Sequence, residues 1–333
     1  MPTLEIQHVD PTDERALRAW WEVVRAAAAE RPVDAVDSWE AVRVGYVAPR
    51  TDGRSVLVAA VEDGVSVGAG RVFLLRGENG HLGVVVVDVV PERRRQGIGT
   101  AVLAELERVA REAGRTTLVG TAATPVDADG PGPAFAAALG YAVASEEETK
   151  VVDLVTAPAG WGRLDAEVTA ALDGYRVEVV DGRTPEEHLD DVCAVLSAFL
   201  GETPENDLDL NLEHWTPARI REHEDRMEAM GRAEVVALAV APDGRVGGYS
   251  DLAIDRGDPR HASVGITLVL PAHRGHRLGL AMKLATHRRL LELFPGCAYV
   301  ETTNAGDNAA MNAVNEQLGY RVVERAVDVQ KRL

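Results

Sequence analysis

The sequence predicts an α/β (α+β) protein in which one folding unit is used twice in tandem. Three observations carry this. The chain has 333 residues, room for about two domains of ordinary size. Its strand-like and helix-like segments run through one order and then run through it again. Two short landmarks also return at nearly the same distance. Val90-Pro91 recurs as Leu270-Pro271, 180 residues on, and Leu139-Gly140-Tyr141 as Leu318-Gly319-Tyr320, 179 residues on. So long a period belongs to tandem domains rather than to a solenoid.

The first half opens with an apolar-alternating strand over Leu4–Val9 and helical segments over Glu14–Ala29 and around Trp39–Val47. β-Branched and apolar residues then predict strands at Ser55–Val61, Val65–Leu75 and His81–Val90. Ile98, Ala101, Val102, Glu105 and Leu106 recur at turn spacing in a helix from Gly97 to Glu112. A strand at Thr116–Thr121, a helix at Gly132–Leu139 and a strand pair over Tyr141–Val155 close the unit. The second half repeats this with a strand at Tyr175–Val180 and helices at Pro185–Phe199 and Pro217–Met230. Strands at Glu234–Val240, Val246–Ile254 and Ala262–Leu270 follow, then a helix at Leu278–Leu293, a strand at Ala298–Thr302, a helix at Asn308–Leu318 and a closing strand from Arg321. Pro158, Gly160 and Gly162 mark a linker, so the expected bounds are a domain over 1–156, a linker over 157–173 and a domain over 174–333.

Composition narrows the function classes. With 35 Lys+Arg against 53 Asp+Glu the formal charge is −18, which disfavours nucleic acid and anionic membrane as partners. The same balance suits a cationic amine, and it equally serves solubility. Only two cysteines occur, Cys193 and Cys297, so neither a disulfide framework nor a cysteine-rich zinc site is expected. No apolar run approaches the ~20 residues that span a bilayer. The opening Met1-Pro2-Thr3-Leu4-Glu5 lacks the basic-then-apolar pattern of a secretory signal, so a cytoplasmic location is expected. The nine histidines show no metal-ligand spacing.

Chemistry concentrates after the fourth strand of the first half. There Val84–Val90 runs into Pro91-Glu92-Arg93-Arg94-Arg95-Gln96-Gly97-Ile98-Gly99-Thr100 and a helix. Glycines let backbone approach a ligand, and the first helical turn offers unpaired N–H groups and a positive dipole end. Together with three arginines this is an anion site, although arginines in an acidic protein also serve simply as solvated surface. The Walker loop is excluded because Gly-Lys-Ser/Thr is absent, and the dinucleotide fingerprint because Leu103 stands where its third glycine belongs.

Arg94-x-x-Gly97-x-Gly99 resembles the Gln/Arg-x-x-Gly-x-Gly/Ala pyrophosphate loop of the GNAT (Gcn5-related N-acetyltransferase) family. The likeness extends over nearly the whole chain as two copies, the second carrying Pro271-Ala272-His273-Arg274-Gly275-His276-Arg277-Leu278-Gly279. Arg277 stands there in place of the first glycine. The resemblance implies two tandem acyl-CoA N-acyltransferase domains, each a mixed, mostly antiparallel twisted sheet flanked by helices. It implies acetyl-CoA as donor, with its pyrophosphate on Arg94, Arg95, Gln96, Gly97, Ile98, Gly99 and Thr100, or on Arg274, Gly275, Gly279 and Leu280. The pantetheine arm would follow Val87, Asp88 and Val89, or Thr267, Leu268 and Val269. Asn308 matches the family's cofactor-contacting asparagine. The tyrosine that often protonates the leaving thiolate is missing from both copies, with Ala136 and Asn315 at its positions.

The implied reaction is direct attack of a primary amine on the acetyl thioester through a tetrahedral intermediate, polarised by a backbone N–H of the fourth strand. An amine of pKa ~10.4 is neutral about one part in 10³ at pH 7, and reaching that form costs roughly 4–5 kcal/mol. A base is therefore expected. Asp88, the lone charge in its apolar strand, is the first candidate, and Glu301 is a weaker one in the second copy. A carboxylate satisfied by local hydrogen bonds is the competing reading of Asp88. Trp20 and Trp21 read as core and rim. The acidic stretch Glu202-Thr203-Pro204-Glu205-Asn206-Asp207-Leu208-Asp209 reads as a solvated loop or the lip of an acceptor site. The expected partner is a small amine acceptor, the expected assembly a monomer or homodimer. A non-catalytic acyl-CoA-binding regulator is the alternative, because both tyrosines are missing.

Overall fold

The computed structural model describes residues 3–33, 36–126, 130–204 and 206–333. In chain order its first elements are β1 (Leu4–Val9), α1 (Glu14–Ala28), α2 (Trp39–Gly45), β2 (Gly53–Glu62), β3 (Val65–Leu75) and β4 (Leu82–Val89). Next come α3 (Ile98–Glu112), β5 (Thr117–Pro125), α4 (Pro131–Ala138), β6 (Ala142–Asp153) and α5 (Trp161–Ala171). The later elements are β7 (Arg176–Asp181), α6 (Leu189–Glu202), α7 (Pro217–Ala229), β8 (Arg232–Val240), β9 (Val246–Asp255) and β10 (His261–Val269). The chain closes with α8 (Leu278–Leu293), β11 (Tyr299–Ala305), α9 (Ala309–Leu318) and β12 (Arg321–Arg332).

Two compact units result. One comprises Met1–Glu147, Asn206–Asn211 and Glu324–Leu333, and the other Glu148–Glu205 and Leu212–Val323. In the first, β1, β2, β3 and β4 form an antiparallel meander, and β5 joins β4 in parallel. One face of β3 meets α3, since a Cβ at Gly70 would overlap Val102. That face holds a core of Val72, Leu74, Leu82, Ile98, Val102, Leu106 and Leu118. Full burial of each such side chain contributes about 1.5–3 kcal/mol. The opposite face, with Ala69 and Leu57, is covered by Leu17, Trp20 and Trp21 of α1. Helix α1 starts where Asp13 accepts the N–H groups of Arg15 and Ala16 at 3.0 and 3.1 Å. The tryptophans are core, as expected: Trp20 Nε1 donates to the Gly70 carbonyl at 3.1 Å and Trp21 Nε1 to that of Asp37 at 2.9 Å.

The second unit repeats the plan with β7, β8, β9 and β10 antiparallel and β11 parallel to β10. The Leu-Gly-Tyr landmark now has a cause. Gly140 and Gly319 end their helices in the left-handed region, and the next tyrosine bonds one matched position of the long helix. Tyr141 Oη donates to Glu107 at 3.4 Å, and Tyr320 Oη lies 2.6 Å from His287 Nε2.

Two findings differ from the sequence expectation. First, Tyr141–Val155 is not a strand pair closing the first half. It holds the single strand β6, whose residues from 148 on belong to the second unit, where Lys150 Nζ reaches Asn304 Oδ1 at 3.2 Å and Leu154 N–H the Ala298 carbonyl at 2.9 Å. The strand from Arg321 instead completes the first unit, pairing antiparallel with β5 from Glu324↔Pro125 to Arg332↔Thr117. Fully buried Glu324 receives both Nε and a terminal nitrogen of Arg31 at 3.1 and 2.7 Å. Second, residues 157–173, read as a linker, carry α5. Trp161, Leu164 and Val168 recur at helical spacing and enter the second unit's core, a face masked in sequence by the Pro158-Gly160-Gly162 opening.

Candidate functional site

Each unit has a V-shaped opening between its two parallel strands. β4 pairs with β5 only at Leu82↔Thr117, Gly83↔Leu118 and Val84↔Val119, although both strands continue. β10 pairs with β11 only at His261↔Tyr299, Ala262↔Val300 and Ser263↔Glu301. Past those points the facing backbone groups have no partner strand. The Val90 N–H bonds Val67 on β3, so by alternation the N–H groups of Val87 and Val89 point into the opening. Leu270 N–H bonds Gly247 in the same way, which turns those of Thr267 and Val269 into the second opening.

Both openings lead to the same loop geometry. Arg94 Nε donates to the Val89 carbonyl at 3.2 Å and its guanidinium pairs Glu30 at 2.5 Å. Arg274 Nε donates to the Val269 carbonyl at 3.1 Å and pairs Glu202 at 2.6 Å. These two arginines fix the loops. Each loop then has two left-handed residues, Arg95 (φ 63) and Gly97 (φ 84) in one, Gly275 (φ 94) and Arg277 (φ 54) in the other. Arginine and glycine have exchanged places while the backbone path is kept. Arg277, in place of the expected glycine, thus leaves the backbone shape unchanged, and each loop bears one left-handed non-glycine residue.

Helices α3 and α8 start with no side-chain cap. Ala101 N–H is the first to bond back, to Gly97, and Ala281 N–H to Arg277. The N–H groups of Ile98, Gly99 and Thr100, and of Leu278, Gly279 and Leu280, have no intrahelical acceptor, an arrangement that can bind an anion. Side chains cap α1, α2, α7 and α9, while α4, α5 and α6 also start uncapped but follow neither β4 nor β10.

Residues 16–141 match the model of the acetyltransferase (GNAT) family. A solved tandem GNAT protein from the clavulanic acid biosynthesis pathway, determined without acetyl-CoA, is 28% identical with a TM-score of 0.80, over 99% of this chain and 98% of its own. The first half thus carries a GNAT-family match, and the chain as a whole is similar to a tandem GNAT protein. Its fold is shared with a GCN5-related N-acetyltransferase from Sphaerobacter thermophilus (17% identity, TM-score 0.67, over 99% and 95% of the two chains). It is shared too with Saccharomyces cerevisiae N-myristoyltransferase (12%, 0.61, over 100% and 79%). No curated protein sequence matches the chain.

Within this GNAT frame the two copies hold different chemistry. Asp88 is half-buried on the α1 face of β4 and takes no hydrogen bond or ion pair among the described residues. Burial pushes its carboxyl up to about 6, held back by the charges of Arg31, Arg71 and Arg94. Arg95 is exposed beside the free N–H groups and has no partner among the described residues. Gln96 is tied to Arg93 at 3.3 Å and to the Glu92 carbonyl at 3.4 Å. In the second copy Arg277 is committed to Glu167 at 3.0 Å and Gln317 at 2.9 Å, and His276 stacks on Tyr175 at 4.8 Å. The side chains of Ile98 and Leu280 are core, so only their backbone faces the loop.

The remaining sequence-read positions are placed as follows. Glu301 sits at the last paired rung of β10 and β11, the closed end of its opening. Asn308 caps α9, accepting the Met311 N–H at 3.1 Å. Ala136 and Asn315, at the family's tyrosine position, are both buried. Asn315 receives Lys283 Nζ at 2.6 Å and donates to Asn304 at 3.0 Å. Burial and the nearby Lys150 charge lower Lys283 to about 7. Glu205 lies outside the described residues, but Asp209 is no solvated loop residue. It accepts Thr117 Oγ1 at 2.9 Å, and its N–H reaches Gln330 at 3.0 Å, both within the first unit.

Sequence reasoning missed Arg71, the lone charge of β3, and Asp251 at the matching position of β9, 180 residues on. Asp251 accepts the Ile266 N–H at 2.7 Å inside a β10 bulge, and burial together with Glu234 pushes it up to about 6. Among the described residues no cluster could hold a metal ion, and no helix is long and apolar enough to cross a membrane.

Proposed function

We propose that the first unit is an acetyl-CoA-dependent N-acetyltransferase for a small primary amine, and that the second unit is a supporting copy. One observation carries the assignment. The unpartnered Asp88 carboxylate lies on the strand that opens from β5, directly between Val87 and Val89, whose N–H groups face that opening, and the same strand leads to an uncapped helix with an uncommitted Arg95. The second copy has no carboxylate at the matching position, which is Leu268.

Acetyl-CoA, when bound, supplies the thioester. The N–H groups of Ile98, Gly99 and Thr100 with Arg95 would hold its pyrophosphate, and those of Val87 and Val89 its arm and carbonyl. Asp88, largely ionised at pH 7 with a pKa of about 6, takes the proton of the attacking amine. The C–N bond would form by attack on the thioester carbonyl, the C–S bond would break as the resulting tetrahedral adduct collapses, and the thiolate would take its proton from water, since Ala136 cannot give one. The expected cytoplasmic location, and the absence of nucleic-acid and membrane partners, rest on composition and charge.

Isothermal titration of acetyl-CoA against Gly99→Trp and Gly279→Trp tests the choice of copy. Binding lost only in Gly99→Trp supports it, and loss only in Gly279→Trp overturns it. The buried Ala136 and Asn315 favour the regulator as a second reading. Acetyl-CoA binding without thiol release on any amine would establish that reading instead.

A further inference from the structure

On the α1 face of the first unit, two opposite charges stand near one another and neither is satisfied. Arg71 on β3 lies opposite Val86 on β4, and Asp88 follows two residues along the same face. Among the described residues no hydrogen bond or ion pair joins them, and neither has another partner. Yet the Arg71 charge is close enough to act on the Asp88 carboxylate. Val86, opposite Arg71 and two residues before Asp88, is 40% exposed, so the face is open at that point. Neighbouring arginines are spoken for, Arg31 by Glu324 and Arg94 by Glu30.

A half-buried guanidinium without an acceptor loses hydration and gains nothing for it. Its planar fork of donors matches a carboxylate in two parallel hydrogen bonds. A purely cationic acceptor would meet Arg31, Arg71 and Arg94 on approaching Asp88, whereas an amine with its own acid group would satisfy both ends. The second unit has lost this arrangement. Its matching residues are Asp251 and Leu268, and the Asp251 carboxylate is folded back onto the Ile266 N–H.

We propose that Arg71 is a specificity-determining residue that binds the carboxylate of the acceptor while Asp88 faces its amine, so that the acceptor class is the amino acids and their close analogues. This rests on the reading of the first unit as the transferase. In the reaction Arg71 keeps its charge and makes no covalent bond.

The test compares amino acids with the amines left by removing their carboxylate, lysine with cadaverine and alanine with ethylamine among them. For the wild-type protein kcat/KM should favour the carboxylate-bearing partner by about 100-fold, in line with a desolvated charge-assisted pair. Arg71→Gln should remove that preference mainly through KM, leaving acetyl-CoA binding by calorimetry unchanged, and Arg71→Lys should restore part of it. Equal rates on both partners, or a preference that survives Arg71→Gln, would overturn the proposal. Calorimetric binding of the same pairs to the CoA-loaded protein separates the two readings. If no amine is turned over, the transferase reading falls. Carboxylate-dependent binding that Arg71→Gln abolishes still supports Arg71, and equal binding of both partners sinks it.

Discussion

The two units differ least where a sequence motif would be sought and most where it would not. The loops before α3 and α8 follow one path, with Arg95 and Gly97 matching Gly275 and Arg277 in the left-handed region and Arg94 and Arg274 bound to equivalent carbonyls. Their acceptor faces have opposite character. Arg71 and Asp88 flank an open patch in one, while Asp251 and Leu268 stand at the same positions in the other. The two copies keep the backbone of the proposed anion site and differ in the side chains of the proposed acceptor face. A glycine pattern reports the first and is silent about the second.

The sharpest way to break this comparison is Asp88→Asn. Loss of a general base should lower kcat about 10²–10⁴-fold at pH 8, with circular dichroism unchanged. The wild-type rate should rise with pH through about 6, as Asp88 ionises, and the variant's residual rate should lack that inflection. The Leu268→Asn variant should leave the rate within about twofold if the second unit only supports the first.

The same substitution should raise stability. With a folded pKa of about 6 against 3.8, the native state holds a proton that the unfolded state has released, so stability falls as pH rises across that window. Asp88→Asn escapes the loss, so the variant should gain on the order of 3 kcal/mol at pH 8 and nothing below about pH 4. Urea unfolding at the two pH values reads this. A variant no more stable at pH 8 would mean that Asp88 has a partner in solution.

The Val329→Ala variant tests the strand exchange. Val329 is buried in the first unit's core, so about 2 kcal/mol should be lost, and acetyl-CoA should protect the affected unit. If only the second unit melted earlier, β12 would belong with it. The smallest effect is at Arg277→Gly, which relieves a left-handed arginine and gives up an exposed ion pair. A net gain of up to about 1 kcal/mol is expected, seen as a slightly higher Tm. A loss would show that Glu167 and Gln317 hold the second loop in shape.

Much of the fold was legible because it is written locally. Turn spacing from Ile98 to Leu106 gives α3, β-branched runs give β3 and β4, and the twice-used Leu-Gly-Tyr gives the duplication. Strand partnership was not. The pattern of β12 specifies a buried face through Ala326 and Val329 but carries no record of which edge it meets. The site was legible as far as Asp88, a charge inside an apolar run. Arg71 was overlooked because its strand tolerates one long polar residue at an open face. Only the register that sets it opposite Val86 gives it meaning.

The exchanged strand also bears on how the protein is made. More than two hundred residues separate Thr117 on β5 from its partner Arg332 on β12. At ribosomal speed that interval lasts roughly 10–40 s, and domains ordinarily fold in the order they emerge. Here the unit with the proposed active site is begun first and completed last. Until β12 arrives, β5 presents an unpaired edge and Arg31 lacks Glu324, so the nascent chain waits with its aggregation-prone side open. A chain released just before Glu324 would hold a finished second unit beside an unfinished first one, so the activity proposed for the first unit would report that β12 has been made.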